Sequence, residues 1–195
     1  MFARHAKGKH QYASPIKMAK IKKGKKGNVY LWTGDGWGKT TSALGVVLRA
    51  AGHKKKSVMV QFMKGRKYVG EYKAKAKLKP YFEMHQFGRD GFVKLSSPSA
   101  KDKALARKGL EFARKALKKK PFLLILDEVN IAAAAKLLDA NEIIEFLDSV
   151  PKSTTVYLTG RYAPKKLIGR ADYVTEVKAV KHPPLGKKAK KGIDY

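Results

Sequence analysis

A lysine and two threonines directly after closely spaced glycines form a phosphate-holding combination, and the chain carries it at Gly34-Asp35-Gly36-Trp37-Gly38-Lys39-Thr40-Thr41. The glycines let backbone N–H groups come close to an anion. A helix starting behind them adds roughly half a positive charge at its free N-terminus. Lys39 offers an ammonium to phosphate oxygens, and the Thr40 hydroxyl is a hard oxygen ligand for Mg²⁺. A second candidate pair, Asp127 and Glu128, closes an apolar run that begins at Phe122. An acid there either holds Mg²⁺ against the phosphates, directly or through water, or caps the helix that follows. The combined reading is a nucleoside triphosphate site. Its spacing departs from the general pattern G-x-x-x-x-G-K-[ST], which asks for glycine at position 33. Thr33 stands there, and the first glycine arrives one residue late.

Positioning these residues takes a strand, a loop and a helix in succession. The β-leaning run Val29 to Trp32 supplies the strand. The helix follows over Ser42 to Ala51, with Ala43, Leu44, Val47 and Leu48 inward and Gly52 as its terminating C′ residue. Ser57 to Phe62 is nearly all apolar, as in a strand covered on both faces. Met63-Lys64-Gly65 and Gly70-Glu71 read as loops, Tyr81 to Gln86 as a shorter strand, and Phe87 to Phe92 as a glycine-punctuated loop. A long helix opens at Ser97 to Ala100, faces Leu105, Leu110, Ala113 and Leu117 inward, and stops at Lys118-Lys119-Lys120-Pro121. Phe122 to Leu126 is a central parallel strand, which puts the two acids where open α/β sheets bind ligands. Helices are expected over Ile131 to Leu138 and Asn141 to Val150, the second with a capping-box spacing at Asp139 and Glu142. A strand over Thr154 to Leu158 leads into Thr159-Gly160-Arg161. A short helix near Pro164 to Ile168 and a last strand, Tyr173 to Val180, complete the alternation. The fold class is α/β: three layers, a mostly parallel sheet flanked by helices, P-loop NTPase-like and RecA-like. Residues 28–195 form this domain, and residues 1–27 are a basic, flexible N-terminal segment with a short helix around Ile16 to Ile21.

Composition bounds the function from another side. The 195 residues carry a formal net charge of +29, from 36 lysines and 8 arginines against 15 acids. That charge attracts nucleic acid, anionic lipid or acidic proteins. Lysine dominates over arginine, however, and lysines occur in nearly every segment rather than on one face. Base readout and bidentate phosphate contacts favour arginine. The excess therefore reads as a surface-wide bias, natural or introduced, with nucleic acid bound only non-specifically by charge. No apolar run approaches 20 residues, and the basic N-terminus has no hydrophobic region of a secretory signal, so neither a membrane span nor export is expected. Zero cysteines exclude disulfides and thiolate metal sites and suit a cytoplasmic setting. The five histidines form no metal cluster, and His182 before Pro183-Pro184 reads as a turn residue.

The phosphate loop from Thr33 to Thr41 has companions in register: Leu48-Arg-Ala-Ala-Gly-His53, Gln61-Phe-Met-Lys-Gly65, Gly70-Glu71, Gly91-Phe92 and Leu126-Asp-Glu-Val-Asn130. Leu158-Thr-Gly-Arg161, Val180-Lys-His-Pro183 and Gly192-Ile-Asp-Tyr195 complete the set. With these motifs, residues 28–195 resemble the P-loop type of ATP:corrinoid adenosyltransferase, a family that shares the late first glycine. The resemblance implies transfer of the 5′-deoxyadenosyl group of ATP to a Co(I) corrinoid with release of triphosphate; the competing reading, favoured by the charge of +29, is a P-loop ATPase acting on nucleic acid. It implies ATP as co-substrate, corrinoid as substrate and Mg²⁺ as cofactor. Gly34, Asp35, Gly36, Trp37, Gly38, Lys39, Thr40 and Thr41 would bind the triphosphate, with Arg161 as a further contact. Thr40 and Glu128 would hold the metal, with Asp127 as second choice. Lys39, Phe92 and Glu128 are the residues implied in catalysis. Phe92 belongs to a family pattern, Gly-Phe-x-Trp, whose aromatic wall displaces the lower axial ligand of the corrinoid. Here Gly91-Phe92-Val93-Lys94 keeps the phenylalanine and has lysine in place of the tryptophan. Trp37 likewise stands where relatives often have lysine. The family also implies a homodimer and an N-terminal segment that closes over the site, and the charge of +29 makes a reduced, acidic flavoprotein an electrostatically suited electron donor.

Overall fold

The computed structural model describes residues 26–91, 93–181 and 188–195. Six strands make one sheet: β1 Val29–Thr33, β2 Ser57–Phe62, β3 Phe82–Phe87, β4 Leu123–Asp127, β5 Thr155–Thr159 and β6 Tyr173–Glu176. Their order is β3-β2-β4-β5-β1-β6, and every neighbouring pair is parallel. Parallel strands need crossovers. Here these carry α1 Lys39–Gly52, α2 Gly70–Ala74, α3 Ala100–Lys118, α4 Val129–Ala134, α5 Ala140–Asp148 and α6 Lys165–Arg170. One strand, β5, lies between β1, which leads into the glycine loop, and β4, which ends in the acids. An all-parallel sheet flanked by helices is consistent with the P-loop-like α/β class expected from the sequence.

Every residue of β2 and β4 is buried, the mark of strands covered on both faces. Alternate side chains sort into two cores. On one side Val60, Leu124 and Leu158 pack with Ala106 and Leu110 of α3, Phe146 of α5 and Leu167 of α6. On the other, Met59, Ile125 and Tyr157 pack with Ala43 and Val47 of α1. The three-layer α/β class follows. No helix among the described residues is long and apolar enough to cross a membrane.

Several boundaries differ from the sequence reading. Helix α1 begins at Lys39, not Ser42, and buries Lys39, Ala43, Val47 and Ala50. Leu48, expected inward, is 63% exposed. Gly52 is still helical, and the left-handed residue that follows is Lys54, with φ 56°. Gly70 opens α2 rather than lying in a loop. Helix α4 runs over Val129–Ala134, earlier and shorter than Ile131 to Leu138. Asp139 caps α5 by accepting from the Asn141 N–H at 2.8 Å, without the box partner expected at Glu142. Strand β6 stops at Glu176 because Val177 turns its backbone toward the glycine loop. At the other end, Lys26 already pairs with Pro151 across a β-bridge. The expected helix near Ile16 to Ile21 and the His182 turn lie outside the described residues.

The loop before α3 is pinned at its end. Ser99 Oγ accepts from the Asp102 N–H at 3.2 Å, and Asp102 Oδ2 accepts from the Ser99 N–H at 3.1 Å, a full capping box. Arg89 adds two bonds to the same carboxylate, at 2.7 and 3.0 Å. The Ser99 hydroxyl first, then Arg89, hold the Asp102 carboxyl below the usual range against the effect of burial. A depressed carboxyl contributes stability above its unfolded pKa of about 3.9 and loses it as pH falls through the folded value. Asp102→Ala is expected to cost about 1–3 kcal/mol at neutral pH in urea unfolding. The gap between variant and parent should narrow below about pH 4. An undiminished gap there would contradict the assignment.

Candidate functional site

The glycine loop is held from one side by the chain that follows β6. Val177 N–H donates to Thr33 O at 2.9 Å, and Gly36 N–H donates to Val177 O at 2.8 Å. The Ala179 N–H donates to Asp35 Oδ1 at 3.3 Å and, as the largest influence, draws that carboxyl below its usual range. Gly34 has φ 97°, and a Cβ there would come within 2.3 Å of Val177 O. Two requirements thus coincide at Gly34, a left-handed backbone and contact with the backbone that follows β6. Gly38, with φ 99°, meets only the first, since nothing lies near a Cβ built on it. Beyond it α1 starts, and its opening N–H groups face the loop.

Lys39 is 8% exposed and folds back so that its ammonium donates to Gly36 O. Burial pushes this ammonium below its usual pKa, the Arg161 charge pushes the same way, and Glu128 and Asp35 oppose them. Lys39, Arg161, Glu128 and Asp35 therefore share one electrostatic environment. Trp37 is 64% exposed, and Thr41 points its residue to solvent as well. Beside the loop an open cleft of about 610 Å³ is lined by Thr33, Gly34, Asp35, Tyr162, Glu176 and Lys178, among others.

The centre of the site is Asp127, which has no exposed surface. Oδ1 accepts from the Thr40 hydroxyl at 2.9 Å and from the Thr159 hydroxyl at 2.6 Å. Oδ2 accepts from Gln61 Nε2 at 2.9 Å and from the Lys64 ammonium at 2.7 Å. Burial alone would raise this carboxyl, but the Lys64 charge and the hydrogen bonds outweigh it and hold it below the usual range. Lys64 also donates to Thr40 Oγ1 at 2.9 Å and lies 3.8 Å from Glu128 Oε1. Burial opposes the Lys64 ammonium, yet Asp127 and Glu128 together raise its pKa above the ordinary value.

Glu128 is the N-cap residue of α4, with φ 65°, and its N–H donates to Thr159 Oγ1 at 3.0 Å. The N-cap position is real, but its side chain makes no capping bond. Burial and the neighbouring Asp127 raise the Glu128 carboxyl, while Lys64, Lys39 and Arg161 pull against them. Asn130, fully buried, donates to Trp32 O at 3.0 Å and Gly160 O at 3.2 Å, stitching the ends of β1 and β5.

The structure therefore brings Gly34 to Thr40, Asp127, Glu128 and Arg161 to one end of the sheet. Phe92 lies outside the described residues, and Lys94, beside it in sequence, is exposed. Lys64, Gln61, Thr159 and Asn130 were given no role from sequence, although Gln61-Phe-Met-Lys-Gly65 was singled out as a motif. Among the described residues no group of three or more His, Cys, Asp or Glu side chains forms a metal cage. A Mg²⁺ site needs no such cage when substrate phosphates supply further ligands. Thr40, Asp127 and Glu128 present hard oxygens only, and a cation, the Lys64 ammonium, sits among them. The donor set fits Mg²⁺.

The sequence model of the family described as ATP:corrinoid adenosyltransferase BtuR/CobO/CobP matches residues 25–195. A corrinoid adenosyltransferase of Sinorhizobium sp. is 35% identical, over 99% of this chain and 92% of that protein. Proteins so named from Escherichia coli K12 and from Salmonella typhimurium LT2 are each 35% identical over 87% of this chain and 86% of their own length.

The two glycines separate strain from collision. Gly38→Ala is expected to lose about 1–2 kcal/mol for its left-handed backbone alone. Gly34→Ala should lose that and a further 1 kcal/mol or more, roughly, from the contact with Val177. Chemical unfolding of both variants checks the ranking, and equal losses would contradict the buttress.

Proposed function

The chain belongs to the ATP:corrinoid adenosyltransferase family, and from that membership we propose how its residues carry the reaction. The Co(I) centre of the corrinoid attacks C5′ of ATP with its electron pair. The cobalt–carbon bond forms, the C5′–O bond breaks, and triphosphate leaves with the bonding electrons. Such a displacement asks the protein for positioning and for charge at the departing oxygens. The observation that supports this reading most strongly is the meeting of the glycine loop, Lys39 and Arg161 with the oxygen cluster of Thr40, Asp127 and Glu128.

In this reading the N–H groups of residues 34 to 41 bind the triphosphate, and Lys39 and Arg161 oppose its charge. Lys39 would exchange its bond to Gly36 O for a phosphate oxygen. When bound, Mg²⁺ supplies further positive charge to the triphosphate. Thr40 and Glu128 would hold it. Asp127 orients the Thr40 hydroxyl by accepting its hydrogen bond. The cleft beside Tyr162 gives the rest of the substrates a place next to the loop. Phe92 is assigned to the corrinoid on the family pattern, with Lys94 in place of the second aromatic residue. A homodimer follows the same resemblance, a cytoplasmic setting is suggested by the absence of cysteines, and a reduced, acidic flavoprotein is the electron donor that the charge favours. The net charge of +29 favours an acidic donor electrostatically. The lysines spread over the surface support only non-specific nucleic-acid binding.

The test is incubation of the protein with ATP, Mg²⁺ and chemically reduced cobalamin. The expected products are a light-sensitive alkylcobalt species and inorganic triphosphate, whereas ADP and phosphate without cobalt alkylation would overturn the reading. Lys39→Ala should lower kcat/KM by at least about a hundredfold, and wild-type turnover would reject its role. The affinity for Mg²⁺·ATP should fall as pH drops through the raised Glu128 pKa, above the ordinary glutamate value of about 4.3. Glu128→Gln should flatten that limb, and a limb unchanged in the variant would assign it elsewhere.

A further inference from the structure

We propose that Lys64 is the resident cation of the nucleotide-free site: its ammonium holds the position among Thr40, Asp127 and Glu128 and excludes a divalent metal until ATP arrives. This inference rests on the proposed metal role of Thr40 and Glu128.

The placement is built, not incidental. Among the described residues every lysine is exposed except Lys39, Lys64 and Lys75. Lys64 reaches inward because Met63, with φ 57°, turns the chain as it leaves β2. Gly88 then lets two backbones touch, since a Cβ there would lie 2.2 Å from the Met63 carbonyl carbon. Gly65 does the same from the other side, with a Cβ position 2.6 Å from Gly88 O. Gln86 donates to Gln61 Oε1 at 3.0 Å, and Gln61 donates to Asp127, so β3 and β2 align the acceptor that Lys64 meets.

The ammonium makes contacts of the kind a metal would make. It is 2.9 Å from Thr40 Oγ1, 2.7 Å from Asp127 Oδ2 and 3.8 Å from Glu128 Oε1. A divalent ion bound to Thr40 and Glu128 would stand within a few ångströms of this charge. Two cations so close repel strongly in a partly dehydrated site. Without nucleotide, the metal would have to displace an ammonium already paired with a buried carboxylate. With nucleotide, the phosphates offer ligands to the metal and a new partner to Lys64, so both cations can be accommodated. Metal and ATP would then enter as one unit.

Manganese, read by electron paramagnetic resonance, tests this without turnover. Wild-type protein alone should show only weak Mn²⁺ binding, and ATP should create a tight site. Lys64→Met, without nucleotide, should bind Mn²⁺ at least about tenfold more tightly than wild type. The added Glu128→Gln change should remove that gain. Mn²⁺ should also raise the Tm of Lys64→Met but not of wild type. Lys64→Gln, which keeps a hydrogen-bond donor without the charge, serves if the methionine variant folds poorly. Wild-type protein that binds Mn²⁺ alone as tightly as the variants would overturn the inference. So would variants that gain no site while ATP still creates one in wild type, an outcome that spares the metal assignment. If ATP creates no Mn²⁺ site in wild type, the metal assignment itself fails and takes the inference with it.

Discussion

Asp127 carries a negative charge where water does not reach, and such a charge is tolerated only when its neighbours satisfy it. Four groups from four places do so: Thr40 at the start of α1, Gln61 in β2, Lys64 after β2 and Thr159 at the end of β5. Removing any one leaves a buried acceptor short of a partner, so these elements must keep their relative positions. The glycine loop inherits its register from this demand, because Thr40 lies immediately after Lys39 and Gly38. The same demand sets where Glu128 and its turn into α4 begin. The geometry of the phosphate loop is in this sense a consequence of one buried carboxylate.

A chain with 36 lysines could flood such a site with positive charge. It does not. Lysines on α3 and in the loops before β2 and β4 stay exposed, and among the described residues only Lys39 and Lys64 enter the site. Each enters for a local reason. Lys39 is carried in by the helix start and returns its ammonium to Gly36 O, while Lys64 is drawn in by Asp127 and Glu128. The two acids respond in opposite ways, the carboxyl of Asp127 held down and that of Glu128 held up. Adjacent acids with separated proton affinities can serve separate roles, one structural and one facing ligand.

Local pattern carried much of this architecture. The continuous apolar runs of β2 and β4, the glycines at 34, 36 and 38, and the acids after Leu126 are all short-range signals, and the strand and loop assignments built on them hold. Contacts made across the sheet were not legible in the same way. Nothing adjacent to Lys64 in sequence announces that it meets Asp127, since parallel pairing of β2 with β4 is needed to bring them together. The brace from Val177 to the glycine loop was hidden because Tyr173 to Val180 reads as one extended run. Leu48 was misplaced by taking two apolar neighbours as one buried face, where Ala43, Val47 and Ala50 fill it. The residues assigned to Mg²⁺ came from type and motif alone, and the structure adds the partners that orient them.

The account depends on the triphosphate lying along residues 34 to 41, and a crystal structure with Mg²⁺ and a non-transferable ATP analogue tests that most directly. The expected density runs from the Lys39 ammonium over the loop N–H groups, with the metal touching Thr40 and Glu128. Nucleotide bound at any other surface, with Lys39 still closed onto Gly36, would contradict it.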